Sequence, residues 1–328
     1  MTRVLRVDPT HPDPVAIAEA VGVLERGGLV AFPTETVYGL GARGLHADEV
    51  AKIFAAKGRP AGHPVILHVD GDARARVLAA EWTETAAHLA RDFWPGPLTL
   101  VVPRAPNVPP EVSGGLDTVG IRAPNHPVAL ALIRAIGEPL AAPSANAHTS
   151  ISPTTAEHVV RSLGDKVDLV LDAGPCTHGI ESTVVAVGAP LRVLRPGAIT
   201  LEQLRVIDPN AIEASQVIEG DAPRAAPGMA AKHYAPKARV LLMQRGGFAK
   251  PAGERVAAIV ATDEAKAAAS ACAPLIVLPN DPAGYAHGLY AALHEADASN
   301  AELIVIEAPP HDPAWRAVHD RLSRAARA

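Results

Sequence analysis

Residues 29–69 constrain the fold of this chain more than any other stretch. A buried-type apolar run (29–32, LVAF) delivers Pro33-Thr34-Glu35-Thr36-Val37-Tyr38 into a glycine-broken loop, and a second run (65–69, VILHV) follows Lys57-Gly58-Arg59-Pro60. Between them Val50, Ile53 and Phe54 fall on one face of an expected helix, with Asp48 as its expected N-cap. Strand, helix, strand is the alternation of an α/β sheet. Hydroxyls, a carboxyl, a phenol and two cations cluster where the backbone leaves that sheet, which is where open α/β sheets hold ligands.

The alternation continues. Strands are expected at 4–7, 98–102, 118–122, 140–142, 169–172, 183–187 and 191–194, and helices at 14–26, 83–93 and 127–136. Thr154-Thr155-Ala156-Glu157 reads as a capping box, and Thr200 with Gln203 starts another helix. After about residue 208 the pattern lapses into roughly thirty residues with four prolines, Pro209, Pro223, Pro227 and Pro236, which suits a linker. A structureless stretch of that length is unusual unless it is functional. From Arg239 strands at 240–243, 256–260, 275–278 and 303–306 alternate with helices at 263–271, 285–296 and 314–326, a small parallel α/β unit. The expected division is 1–207, a linker at 208–238, and 239–328. With 48% hydrophobic and 20% charged residues over 328 positions, two packed cores are feasible.

Several chemistries are excluded. Gly39-Leu40-Gly41-Ala42-Arg43-Gly44 matches the dinucleotide fingerprint in letters only, because PTETVY intervenes after the strand and the next helix starts near Asp48. It reads as a loop needing positive φ. There is no G-x-x-x-x-G-K-[ST], no H-E-x-x-H, no paired CxxC and no G-x-S-x-G, and no metal ligand set stands out. Cys176 and Cys272, far apart, suit a reducing cytosol. The first residues lack a signal-type apolar core and no apolar run approaches the ~20 residues of a membrane span, so a cytoplasmic protein without a membrane partner is expected. The net charge of -5, with no basic-aromatic stripe, disfavours a nucleic-acid-binding module. Such an RNA-binding module without adenylate-forming activity is the rival reading, and direct tRNA binding is left open.

Lys57, Arg59, Arg122 and Arg195 each stand at the end of an element. One such cation merely compensates a helix dipole. Four of them at the ends of separate elements are what an anion pocket needs. Ser144 and Asn146, after a strand and Pro143, and Ser182-Thr183 are either turn and strand-start residues or donors aimed at a ligand. Thr34-Glu35-Thr36, polar and directly after a buried-type strand, is hard to explain as core.

Taken in order, FPTETVYGLG, KGRP with HPVILHV, WPGPLTLV, VGIRAPNHP, PSAN, GIESTVV and LRPG resemble the YrdC-type domain over residues 4–206, and APGMAAKHYAP (226–236) resembles the linker of its two-domain members. The resemblance implies a twisted, mixed, open α/β sheet with helices, plus a smaller Rossmann-like parallel α/β domain. It also implies an L-threonylcarbamoyladenylate synthase that joins L-threonine, bicarbonate and ATP, with Mg2+, and releases pyrophosphate. The product would pass to a separate tRNA threonylcarbamoyl transferase acting on the adenosine beside the anticodon, in tRNAs reading codons that begin with A. Carried over by motif, Thr34, Arg59, His68, Arg122 and Ser182 would contact threonine. Lys57, Arg59, Thr118, Ser144, Asn146, Ser152, Arg195 and Tyr234 would contact ATP, with Lys57 and Arg59 catalytic. Residues 227–234 would form a lid. Ala226 stands where relatives often have Ser, and Gly62-His63 where Asp-Asn is common.

Overall fold

The computed structural model describes residues 2–60, 62–214 and 234–326. Among these residues the chain builds two sheets. The first contains β1 (Arg3–Arg6), β2 (Val30–Phe32), β3 (Gly39–Arg43), β4 (Ile66–His68), β5 (Leu98–Pro103), β6 (Thr118–Arg122), β7 (Leu140–Ala141), β8 (Leu169–Asp172), β9 (Thr183–Ala186), β10 (Arg192–Arg195) and β11 (Ile212–Glu213). Their order is β1-β8-β2-β3-β7-β4-β6-β5-β9-β10-β11. The sheet is mixed: β8 runs parallel to β1 and β2, whereas β7 is antiparallel to both β3 and β4.

Alternation along β2 explains why helices cover both faces, since successive side chains point to opposite sides. Leu29 and Ala31 join a buried cluster with Ile53, Phe54 and Leu89, from helices Ala47–Lys57 and Glu84–Phe93. Val30 and Phe32 join another with Ile17, Leu24, Val128 and Leu132, from helices Pro14–Glu25 and Pro127–Ile136.

Local chemistry sets the helix starts. Asp13 accepts from Val15 N, and Thr200 and Gln203 make the reciprocal capping box. Elsewhere the structure differs from the sequence reading. The segment 39–43 is no loop but strand β3, antiparallel to β2. A Cβ at Gly41 would lie 2.7 Å from Phe32 Cε1, so glycine lets the Phe32 ring cross the neighbouring strand. His46, not Asp48, occupies the N-cap position of helix Ala47–Lys57. Thr155 rather than Thr154 caps the helix Ala156–Leu163, because the Thr154 hydroxyl lies 3.3 Å from His158 Nδ1. The expected linker begins with β11, which pairs with β10, and residues 215–233 lie outside the described residues.

The second sheet contains β12 (Arg239–Met243), β13 (Val256–Val260), β14 (Leu275–Val277) and β15 (Leu303–Glu307), all parallel, in the order β12-β15-β13-β14. Helices Pro282–Ala298 and Arg316–Ala325 pack against the first unit, and one apolar cluster spans both: Val37, Ile151 and Ile180 meet Tyr285, Leu289 and Tyr290. Among the described residues no helix is long and apolar enough to cross a membrane.

Candidate active site

A cleft with about 660 Å3 of open space, mouth included, lies where β2, β4, β6, β9 and β10 end or begin. Thr34, Lys57, Arg59, His68, Arg122, Ser144, Asn146, Ser182, Arg195 and Tyr234 all line it.

The floor is built from the loop after β2. Thr34 Oγ1 donates to the Val37 carbonyl at 2.6 Å and accepts from the backbone N–H groups of Thr36 and Val37, closing a local turn. That turn presents Thr36 Oγ1 to Arg122 Nη1 at 2.9 Å and Glu35 to Arg122 Nη2 at 2.7 Å. Arg122 closes β6, and its Nε donates to the Gly96 carbonyl at 3.3 Å. Beside it His68 closes β4; burial, then the Arg122 charge, push its imidazole down to about 3, so the ring is neutral near pH 7. His68 Nδ1 is buried without a hydrogen-bond partner among the described residues, as is Asn146 Oδ1. Buried polar atoms of that kind are uncommon and both border the cleft.

One wall is the 143–146 loop, and Lys57 shapes it. Its Nζ donates to the carbonyls of Ser144 and Asn146 at 2.5 Å each. Burial, then the Arg59 charge, push the Lys57 amine well below its ordinary range. Arg59 lies over the Phe54 ring, 5.8 Å from its centre, and donates to the Pro64 carbonyl at 2.9 Å.

The opposite wall comes from β9 and β10. Arg195 donates to the Ser182 carbonyl and hydroxyl, 3.1 Å each, and Ser182 Oγ lies 2.8 Å from Thr99 Oγ1. Glu181, next in the chain, also borders the cleft. Burial opposes its ionisation, but the guanidinium groups of Arg321 and Arg195 outweigh that and hold the carboxyl below its ordinary range.

Two expected residues lie elsewhere. Thr118 starts β6 opposite Pro103, four residues from Arg122 and so about 13 Å away along the strand. Ser152 is buried behind the wall, donating to Glu181 Oε1 at 2.5 Å. Neither borders the cleft. Of the expected lid, only Tyr234 falls within the described residues. It is buried with φ +62°, 5.6 Å from the Tyr290 ring and 5.4 Å from the Arg321 guanidinium.

The sequence reading missed Thr36 and Glu181 as lining residues, although both stand inside the motifs it quoted. It also missed Arg321, which sits in RAVHDRLSRA, a helix that reads as solvated.

The donor set does not fit a resident magnesium ion. Glu181, the acidic side chain that borders the cleft among the described residues, is held by Arg321, and Glu35, beneath the floor, by Arg122. Among the described residues, the group that could hold a metal is His46, Asp48 and Glu49, at the opposite end of the helix from Lys57, with Arg43 already on Glu49.

Residues 22–197 match the Sua5/YciO/YrdC family model, described as "Telomere recombination", and residues 199–327 match the model described as "Threonylcarbamoyl-AMP synthase, C-terminal domain". A threonylcarbamoyl-AMP synthase of Bacillus subtilis is 39% identical over 326 residues, covering 94% of this chain and 92% of that protein. One of Pyrococcus abyssi is 46% identical over 227 residues, 69% of this chain and 67% of its own. The solved structure of P. abyssi Sua5 complexed with L-threonine superposes with a TM-score of 0.90 at 35% identity, covering 99% of this chain and 98% of that one. With both of its units matched and its likeness running nearly end to end, the chain belongs to the two-domain Sua5-type threonylcarbamoyl-AMP synthase family.

Proposed function

We propose that the cleft between the Thr34 turn and Tyr234 is where L-threonine, bicarbonate and ATP become threonylcarbamoyl-AMP and pyrophosphate. The observation that carries this reading is convergence: Lys57 and Arg59, at and just after the end of helix Ala47–Lys57, Arg122 at the end of β6 and Arg195 at the end of β10 face one cavity that also holds the hydroxyls of Thr34, Ser144 and Ser182. Fixed cations with neutral donors between them suit a triphosphate and an amino-acid carboxylate together.

Arg122, Thr34, His68 and Ser182 take the amino acid, with Arg59 at the border between the two substrates. A guanidinium offers the threonine carboxylate a two-pronged partner. The neutral His68 ring leaves Nδ1 for the substrate's amine or hydroxyl. Lys57, Arg59, Ser144, Asn146, Arg195 and Tyr234 take the nucleotide. Ser152 acts through Glu181 rather than by touching ATP, and Thr118 is not part of this set.

The threonine nitrogen bonds to the carbon of bicarbonate, and water leaves to give the carbamate. A carbamate oxygen then bonds to the α-phosphorus while the α–β bridging P–O bond breaks, and pyrophosphate departs with that electron pair. Negative charge grows on the leaving group, where Arg59 and Arg195 oppose it. No protein nucleophile is needed, so positioning and electrostatics account for the rate. Magnesium enters with ATP, as part of the substrate complex.

Residues 1–207 form the catalytic unit in this reading, 208–238 the linker and lid, and 239–328 the second unit. The product goes to a tRNA threonylcarbamoyl transferase. Two unbridged cysteines, both buried, support a cytosolic setting.

The test is pyrophosphate release from ATP, with mass spectrometry of the nucleotide product. Release that requires both L-threonine and bicarbonate is the expected result. Equal release with either omitted overturns the assignment.

A further inference from the structure

The second unit reaches into the wall of the cleft through one side chain. Arg321, on helix Arg316–Ala325, is 1% exposed although it belongs to a polar-looking helix near the end of the chain. Its Nε donates to Glu181 Oε2 at 2.7 Å and its Nη2 to the Glu181 carbonyl at 3.3 Å. Its Nη1 donates to the Pro196 carbonyl at 3.0 Å and to Asp320 Oδ2 at 2.7 Å. The same guanidinium faces the Tyr234 ring. One group therefore touches the residue before Ser182, the residue after Arg195, and the tyrosine at which the described chain resumes.

Charge gives this arrangement a purpose beyond packing. Glu181 borders a cavity that must accept a triphosphate and a carboxylate. A bare carboxylate there would repel both, and at low effective dielectric the repulsion is large. Arg321 cancels it, and Tyr290 Oη donates to the same oxygen at 2.9 Å. Asp320 is in turn shared with Arg324, at 2.8 Å. The buried group thus sets three arginines, Arg195, Arg321 and Arg324, against two acids, Glu181 and Asp320. Of the three, only Arg195 borders the cleft.

We propose that Arg321 is a positioning residue of the cleft, contributed by the C-terminal unit: it neutralises Glu181 so that Arg195 presents net positive charge to the substrate anions, and it seats Tyr234 against the nucleotide. This rests on the assignment of the cleft to ATP and threonine. It gives the C-terminal unit an electrostatic part in that site.

The test compares the full-length chain with Arg321→Met, Arg321→Lys and the double variant Arg321→Met/Glu181→Gln, measuring kcat and the KM for ATP and for threonine, with Tm alongside. Arg321→Met is expected to raise the KM for ATP at least tenfold, because the Glu181 carboxylate then loses its direct cationic partner and draws on Arg195 in competition with the phosphates. Removing that carboxylate in the double variant is expected to recover at least a third of the loss on a logarithmic scale, a rescue that mere packing damage does not show. Arg321→Lys, which keeps the charge but not the fork, falls between wild type and Arg321→Met. If Arg321→Met does not fold, the double variant and Tyr290→Phe carry the comparison. Buried pairs replaced on both sides are generally tolerated, and Tyr290→Phe is then expected to raise the KM for ATP two- to fivefold. A folded Arg321→Met with both KM values within twofold of wild type overturns the inference, as does a double variant no better than the single. Arg195→Met serves as the separate check on the cleft itself: if it too is without effect, the site assignment fails rather than the role of Arg321.

Discussion

Glu35 and Arg122 form an ion pair across the floor of the cleft, 2.7 Å apart, with only 3% and 4% of their side chains exposed. They lie 87 residues apart in the chain, and what joins them is the turn that Thr34 closes. Removing one partner of such a pair strands the other charge. Arg122→Ala is expected to cost about 3–5 kcal/mol of stability and to raise the KM for threonine well above that for ATP. Urea unfolding and steady-state kinetics read the two effects. Equal rises in both KM values would remove Arg122 from the amino-acid end of the site.

Lys57 acts on the 143–146 loop before it acts on any ligand. Lys57→Met leaves the Ser144 and Asn146 carbonyls without their shared donor, at about 1–3 kcal/mol for each buried group left unsatisfied. Loosening that wall is expected to lower kcat/KM by about 100-fold, the order that a 1 Å misplacement costs. Progress curves of pyrophosphate release check it, and a variant within threefold of wild type would mean the loop holds its shape unaided.

His158 and His294 stack across the two units, ring centres 3.8 Å apart. His294 Nε2 donates to the Ser152 carbonyl at 3.1 Å. Burial lowers both imidazoles below the ordinary 6.5, His158 to about 4 and His294 to about 3, with Arg161 adding to the effect on each. The unfolded chain therefore binds protons between pH 6.5 and 4 that the folded chain does not. The stability this stack contributes is present above about pH 6.5 and falls as pH drops through that window. Melting temperatures from pH 7.5 to 4 are expected to fall, with a shallower fall in His294→Phe. An unchanged slope in that variant would place the acid sensitivity elsewhere.

Gly197 packs where the chain has no room for a side chain. A Cβ there would lie 2.3 Å from Thr183 N and 2.8 Å from the Glu181 carbonyl oxygen, both backbone atoms. Gly197→Ala is expected to displace the start of β9, carrying Ser182 with it, at about 1–3 kcal/mol of overpacking. The KM for threonine and Tm should both worsen. A variant with wild-type kinetics would show that Ser182 is not held by this contact.

Much of the architecture was legible because it follows from short-range rules. Short continuous apolar runs marked the strands, and Asp13, Thr83 and Thr200 marked helix starts through their own side-chain bonds. What failed did so where a distant partner decides. Residues 39–43 look like a glycine loop until the Phe32 ring is placed beside them. Arg321 carries no local signal at all. A charged residue in a polar helix looks solvated until another unit, 140 residues away in the chain, supplies the carboxylate that buries it.

The place of β8 between β1 and β2 bears on how the protein is made. The first thirty residues cannot complete their hydrogen-bonded ladder until Leu169–Asp172 arrives to lie between them. During synthesis the amino-terminal third of the chain must therefore wait, its sheet edges open, while more than a hundred further residues leave the ribosome. Half-made chains should consequently lean on chaperones until that one late strand tucks between the two early ones.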